Sequence, residues 1–74
     1  MNLEDKKIAI LSITNNGREL ALRIKESMKS VDVFFIKKDT DYKNDEVTVV
    51  NQGLKEFIPQ VFDKYDYLVF IMAT

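Results

Sequence analysis

Short apolar runs alternate with segments of helical period along this chain. Residues 7–13, 31–36 and 67–73 are apolar runs of strand length in which Ile, Val and Phe are prominent. Residues 17–29 and 54–64 repeat apolar positions three or four residues apart, as an amphipathic helix does. This order of strand, helix, strand, helix and strand predicts an α/β fold built on a parallel sheet.

Each predicted helix carries one apolar face. In the first helix, four apolar residues share the side of Gly17: Leu20, Ala21, Ile24 and Met28. Leu22 lies off this face, so we expect it to be partly exposed. The second helix has a wider apolar face: Leu54, Phe57, Ile58, Val61, Phe62 and Tyr65. Pro59 either lies in the first turn of a helix that begins later or kinks the helix.

The connections predict a three-stranded parallel sheet in the order 2-1-3, with helices on both faces, as in half of a Rossmann-like or flavodoxin-like domain. Crossovers between parallel strands are right-handed, so the two helices are expected on opposite faces. Residues 67–73 have almost no polar atoms, which predicts a strand buried on both faces. The order nevertheless places that strand at an edge of the sheet. The four residues 47–50 are either a minor strand or an extended lead to the second helix.

This topology predicts a ligand crevice at the carboxyl edge of the sheet, where open α/β sheets bind their ligands. The turn of Thr14, Asn15, Asn16 and Gly17 would lie there. One interpretation is a capped helix, with Asn16 as N-cap, Glu19 completing a capping box, and Gly17 allowing close packing. The other is an anion or carboxylate site that uses backbone N–H groups at the helix start.

Three further residues belong to the predicted crevice. Arg18 stands in the first helical turn, where a cation opposes the helix dipole unless an anion lies nearby, although it is equally an ordinary surface arginine. Ala73 and Thr74 close the last strand next to Thr14; they either simply end the strand or enter the crevice. The mixed charges of residues 37–46 indicate a solvated loop, since interleaved lysines disfavour binding of a hard cation.

Composition narrows the classes of function. The 74 residues, 46% of them apolar, suffice for one small domain. Eleven basic and twelve acidic residues give a net charge of −1, which provides no basic surface for nucleic acid or anionic membrane. The polar start of the chain is not a signal peptide, so we expect a cytoplasmic protein. The chain has no Cys and no His, which removes the usual thiolate and imidazole chemistry and predicts no metal site.

Three segments, taken in order, resemble a known family. They are the strand and turn IAILSITNNGREL, the helix LKEFIPQVFDKYD and the strand YLVFIMAT. Together they resemble the N-terminal domain of the CbiG family, the cobalt-precorrin 5A hydrolases of cobalamin (vitamin B12) biosynthesis. In that family a Gly-Ile-Val-type turn, another helix and further domains follow. The resemblance therefore implies that residues 1–74 are one small α/β domain at the N-terminus of a larger protein.

The resemblance also implies a function. Family members open the δ-lactone ring of a cobalt-bound tetrapyrrole and release acetaldehyde. The resemblance extends to four candidate site residues, Thr14, Gly17, Ala73 and Thr74, and it assigns no catalytic residue. It implies that the chain helps to bind a cobalt tetrapyrrole, that cobalt enters only as part of that substrate, and that this domain alone does not complete the hydrolysis.

Two other functions stay open at this point. A flavodoxin-like module would hold a phosphate or flavin in the Ser/Thr/Asn/Gly loop after the first strand, although that loop lacks the run of hydroxyls typical of such sites. A structural domain would bind no small molecule and would instead use the last strand. A long apolar edge strand recruits another chain, so we expect either downstream domains or self-association at this strand.

Overall fold

The computed structural model describes residues 5–73, which form a parallel sheet flanked by two helices. The elements in chain order are β1 (Ile8–Ser12), α1 (Asn15–Ser27), β2 (Asp32–Ile36), β3 (Val47–Val50), α2 (Leu54–Val61) and β4 (Tyr67–Ile71). The strands are arranged in the order β3-β2-β1-β4, and each neighbouring pair is parallel. The α/β class and the parallel sheet predicted from the alternating pattern are therefore confirmed.

The predicted number of strands was wrong. The sheet has four strands in the order 3-2-1-4, not three in the order 2-1-3, because residues 47–50 form β3 alongside β2. Val47 and Val50 are buried, and this burial stabilises a segment too short to be recognised by its period. Without β3, the remaining strands have β1 between β2 and β4, which is the neighbour relation that the sequence predicted.

Two apolar clusters form on the two faces of the sheet. On one face, Ala21 of α1 packs with residues of three strands and with Val31, which directly precedes β2; the strand residues are Ile8, Ile10, Val33, Phe35 and Val47. On the other face, α2 contributes to the second cluster: Ala9, Leu11, Ile36, Val50, Phe57 and Val61. Because β1 is central and covered on both faces, all five of its residues are buried. The helices therefore lie on opposite faces, as the connections predicted.

The prediction that the last strand is buried on both faces was wrong. β4 lies at the edge of the sheet, and four apolar residues in or after it are between 39% and 56% exposed: Tyr67, Val69, Phe70 and Met72. The apolar pattern alone could not separate a covered strand from an uncovered one. The helices instead cover the centre of the sheet, since the residues of both clusters come mainly from β1, β2 and β3.

The start of α1 also differs from the prediction. The helix begins at Asn15, and its N-cap is Thr14 rather than Asn16. Gly17 and Ala21 are the buried residues of the helix, and Leu20, expected on the apolar face, is 42% exposed. Leu22 is partly buried against the core, in agreement with its predicted partial exposure. In α2, Pro59 stands inside the helix and not in its first turn, and the helix ends at Val61. Phe62, expected on the apolar face, is consequently exposed.

Candidate functional site

The carboxyl edge of the sheet joins the first turn of α1 to the end of β4. Thr14 has extended backbone angles, and its side-chain oxygen accepts a hydrogen bond of 2.9 Å from the backbone N–H of Gly17. The same hydroxyl donates to the backbone carbonyl of Ala73. Its own carbonyl accepts from the backbone N–H of Arg18 at 2.9 Å. Thr14 therefore caps the helix and ties it to a segment 59 residues away in the chain.

Gly17 allows the helix to approach β4 closely. A side-chain Cβ at this position would lie 3.0 Å from the carbonyl oxygen of Ile71 and 3.0 Å from Oγ1 of Thr14. Its backbone does not have a positive φ, so the glycine is required by space and not by a left-handed conformation. This geometry agrees with the interpretation that Gly17 permits close packing of the helix on a strand. The strand is β4, and the contacting atom is a backbone carbonyl oxygen, which cannot rotate away as the end of a side chain could.

Arg18 lies over aromatic rings beside this edge. Its guanidinium carbon is 3.9 Å from the centre of the Tyr42 ring and 4.9 Å from that of Phe35. Its nitrogens donate to Asn15 Oδ1 at 3.1 Å and to the Glu19 carboxylate at 3.3–3.4 Å. The side chain is only 14% exposed. These partners account for a cation in the first helical turn without any bound anion.

The structure brings most of the predicted site residues to one edge of the sheet. Thr14 and Gly17 contact the end of β4 through Ala73 and Ile71, and Asn15 and Asn16 are exposed in the first turn of α1. Thr74 lies outside the described residues. The predicted meeting of the two distant segments is confirmed as far as Ala73, whereas their role in binding a ligand stays a prediction.

Two lysines extend this edge on the side of β2. Lys37 and Lys38 directly follow the carboxyl end of β2 and are exposed. The Lys37 backbone N–H donates to the Val50 carbonyl at 3.0 Å, and the Asp39 N–H donates to Asn51 Oδ1 at 2.9 Å. Asp39 has a φ of 58°, so the chain turns sharply after the two lysines. These bonds hold the loops after β2 and β3 together at the edge that carries Thr14.

Two contributions to this edge could not be recognised in the sequence. Ser12 is fully buried at the end of β1, and its hydroxyl donates to the Phe34 carbonyl at 2.9 Å. Tyr42 stands in the charged loop, yet it packs edge-on against Phe35 and beneath Arg18. The only sign of this contact in the sequence is that Tyr42 is an aromatic residue inside a polar stretch. That sign does not indicate which cation the ring contacts.

A shallow apolar groove lies beside this edge, between α1 and β4. Its volume is about 500 Å³, and it is lined by Leu20, Arg23, Ile24, Ser27, Met28 and Ile71. The exposed position of Leu20 and the uncovered face of β4 form it together. The groove shares Ile71 with the Gly17 contact but extends away along the helix, so it adjoins the predicted crevice without coinciding with it.

The opposite, amino edge of the sheet is closed by polar contacts. The Tyr65 hydroxyl donates to Asp32 Oδ2 at 2.6 Å, and the Asp66 carboxylate accepts from the Lys7 backbone N–H at 2.7 Å. Burial raises the pKa of Tyr65 to about 12, and the hydrogen bond and charge of Asp32 act in the same direction. These bonds join β2 and the start of β1 to the segment before β4, leaving the carboxyl edge as the open one.

No cluster of three or more acidic residues able to hold a metal ion occurs within residues 5–73. Across that same range, no helix has the length and apolar character needed to cross a membrane. Comparison with protein-family models, with curated proteins and with solved structures found no match to this chain. Function is therefore argued from the geometry of the carboxyl edge and from the motifs that lie there.

Proposed function

We propose that this chain is the N-terminal domain of a cobalamin-biosynthesis protein of the cobalt-precorrin 5A hydrolase type, and that its carboxyl edge forms one wall of a site for an acidic cobalt tetrapyrrole. The observation that carries this proposal is the hydrogen bond from Thr14 to Ala73. It joins the turn and the terminal strand, two of the three segments on which the family resemblance rests. Their meeting at a carboxyl edge supports a common binding role.

The positive charges at the carboxyl edge of the sheet suit the binding of the peripheral carboxylates of a tetrapyrrole. The first turn of α1 begins here, and the N-terminus of a helix attracts negative charge. Lys37 and Lys38 add two exposed cations at the neighbouring strand end. An ammonium group on a flexible stem can reach a carboxylate on a large ligand without a fixed geometry. We therefore assign the positive end of the α1 dipole and these two lysines to carboxylate binding.

The proposed role is positioning and not bond cleavage. The chain has neither His nor Cys, so the cobalt ion is expected to be held by the tetrapyrrole that carries it. Arg18 is occupied by Glu19, Asn15 and the Tyr42 ring, and we expect it to shape the turn and not to contact the ligand. Lactone opening would then require groups outside this domain.

A titration with two matched corrinoids tests this proposal. Dicyanocobyrinic acid carries free peripheral carboxylates, whereas its heptamethyl ester has the same ring and cobalt without those charges. We expect saturable changes in absorbance with the acid and much weaker binding of the ester, because only the acid can use the lysines and the helix N-terminus. Absence of saturation at millimolar acid, or equal affinity for the ester, would contradict the proposed site.

A pair of double variants locates the site on the surface. K37Q/K38Q removes both cations at the carboxyl edge and should weaken binding of the acid about 5- to 30-fold, at about 0.5–1 kcal/mol for each of the two exposed ion pairs. K55Q/K64Q makes the same charge change at exposed positions in and after α2 and serves as the control. Equal weakening by the two double variants would indicate a nonspecific charge effect and would reject the assignment.

A further inference from the structure

β4 differs from the other edge strand in having no protection against pairing. Its five residues contain no charge, no proline and no glycine, and no described strand pairs with its outer edge. Both faces of the strand carry exposed apolar side chains, although Leu68 and Ile71 pack partly against the two clusters. From the register with β1, Tyr67, Val69 and Ile71 point to the α1 face, and Leu68 and Phe70 point to the α2 face. Half-exposed apolar residues therefore flank an available edge.

The opposite edge, β3, is protected in several ways. It has only four residues, and an antiparallel bridge from Asn44 to Val47 covers its start. The charged loop of residues 37–46 leads into it, and Thr48 provides a polar, exposed position within it. Short length, nearby charge and a covering loop are the ways in which natural sheets block unwanted edge pairing. The contrast indicates that pairing is prevented at β3 and permitted at β4.

We propose that β4 is an interface between two copies of this chain, paired antiparallel about a two-fold axis at Val69. That register opposes Val69 to Val69 of the second copy, Tyr67 to Ile71, and Leu68 to Phe70. All five positions of β4 then face an apolar partner on the same side of the sheet, and aromatic and aliphatic pairs of this kind stabilise neighbouring strands. The strand is thus complementary to itself in the register that uses its whole length.

The charges around β4 permit this arrangement. The nearest acidic residue is Asp66, and antiparallel pairing places its two copies at opposite ends of the junction. Six residues of strand separate them, which is roughly 20 Å at about 3.3 Å per residue. That distance is twice the Debye length of about 8–10 Å at physiological salt, so repulsion between the two carboxylates is screened. The net charge of −1 adds little further repulsion between copies.

The pairing would place the two carboxyl edges on opposite sides of the joined sheet. Ala73, which accepts from Thr14, lies beyond the last residue pair of the junction, so the Thr14 turn borders the junction without forming part of it. The Tyr67, Val69 and Ile71 side chains of both copies would form one apolar strip beside the groove of each α1. This interface therefore does not depend on the proposed ligand site. Because one strand pair is smaller than the roughly 800 Å² per partner of a standard interface, we expect a reversible, concentration-dependent dimer.

Sedimentation equilibrium of the 74-residue chain tests the association. We expect the average mass to rise from 8.6 kDa towards twice that value as the concentration increases from about 10 µM to about 1 mM, the affinity range of a small interface. V69K places a charge at the centre of the junction and should raise the dissociation constant at least tenfold. T48K makes a similar change on β3 and should leave the constant unchanged. A monomeric wild-type chain at every concentration would overturn the proposal, as would a V69K variant that associates normally.

Disulfide trapping tests the register. The chain has no cysteine, so each variant would carry a single thiol. V69C stands opposite itself in the proposed pairing and should form a disulfide-linked dimer quickly under mild oxidation, since facing residues bring their Cβ atoms to about 4.5–5.5 Å. T48C and F62C are exposed controls away from the junction and should react slowly. Faster trapping through either control would show a different interface and would reject this one, even if the chain dimerises.

Discussion

At the scale of single residues, the site depends on a glycine whose lack of a side chain lets α1 lie close to β4. Gly17 stands in the first turn of α1, where alanine would ordinarily improve helix stability by up to about 1 kcal/mol. The carbonyl oxygen of Ile71 and the hydroxyl of Thr14 would lie 3.0 Å from that methyl group, so one of these neighbours must shift by a few tenths of an ångström. The two effects oppose each other at this position. We expect the close contact with the Ile71 backbone to outweigh the gain in helix propensity that alanine would bring.

We therefore expect G17A to destabilise the protein by up to about 2 kcal/mol, since overpacking costs about 1–3 kcal/mol and the gain in helix propensity offsets up to about 1 kcal/mol. Urea denaturation followed by circular dichroism measures the change. E26A, at an exposed position of the same helix, is the control and should lie within about 0.5 kcal/mol of the wild type. A G17A variant as stable as E26A would mean that α1 and β4 can separate without loss.

At the scale of elements, each helix departs from its predicted form at one point. α1 begins at Asn15, two residues earlier than predicted, because Thr14 is the residue whose hydroxyl reaches the N–H of Gly17. α2 has only eight residues and contains Pro59 in its interior. A proline there has no N–H to donate to the carbonyl four residues earlier, at Lys55. The buried faces of Phe57 and Val61 hold α2 in place despite this loss.

Replacing Pro59 by alanine should therefore stabilise α2. P59A restores an N–H donor at an exposed position, and we expect the free energy of unfolding to rise by about 1 kcal/mol or more. Thermal and urea unfolding provide the measurement, with Q60A as the neighbouring exposed control. An unchanged or lowered stability would indicate that the helix needs the restricted proline backbone at this point.

At the scale of the whole molecule, the two edges of the sheet have different roles. The amino edge is closed by hydrogen bonds from Tyr65 to Asp32 and from the Lys7 backbone to Asp66. The carboxyl edge carries the helix start, two lysines and the end of β4. A domain of 74 residues buries only about 60% of the surface that its unfolded chain exposes, so closure of the amino edge contributes noticeably to a small total stability.

The pH dependence of stability provides a test of that closure. Burial raises the pKa of Tyr65 from its ordinary value of 10.0 to about 12, so the fold favours the protonated phenol. This contribution is fully present below pH 10 and is lost as the pH rises from 10 to 12. We expect the stability difference between wild type and Y65F to shrink across that interval, measured by urea unfolding at several pH values.

The control for this experiment is Y67F, since Tyr67 lies on β4 away from the contact with Asp32. Its stability difference from the wild type should not reproduce the change seen for Y65F. Absorbance at 295 nm should also lose the component with a pKa of about 12 in Y65F. A pH-independent difference between wild type and Y65F would show that the hydroxyl is not held by Asp32.

The order and periodicity of the residues alone predicted the α/β class, the parallel pairing of β1 with its two neighbours, the opposite placement of the helices, and the meeting of Thr14 with the segment that ends at Ala73. These follow from periodicity and from the handedness of crossovers, which are local rules. Tertiary structure alone decided that residues 47–50 form a strand, that β4 is uncovered, and that Arg18 lies on Tyr42. Such features depend on which surfaces lie next to each other, and an apolar residue has the same pattern whether or not a neighbour covers it.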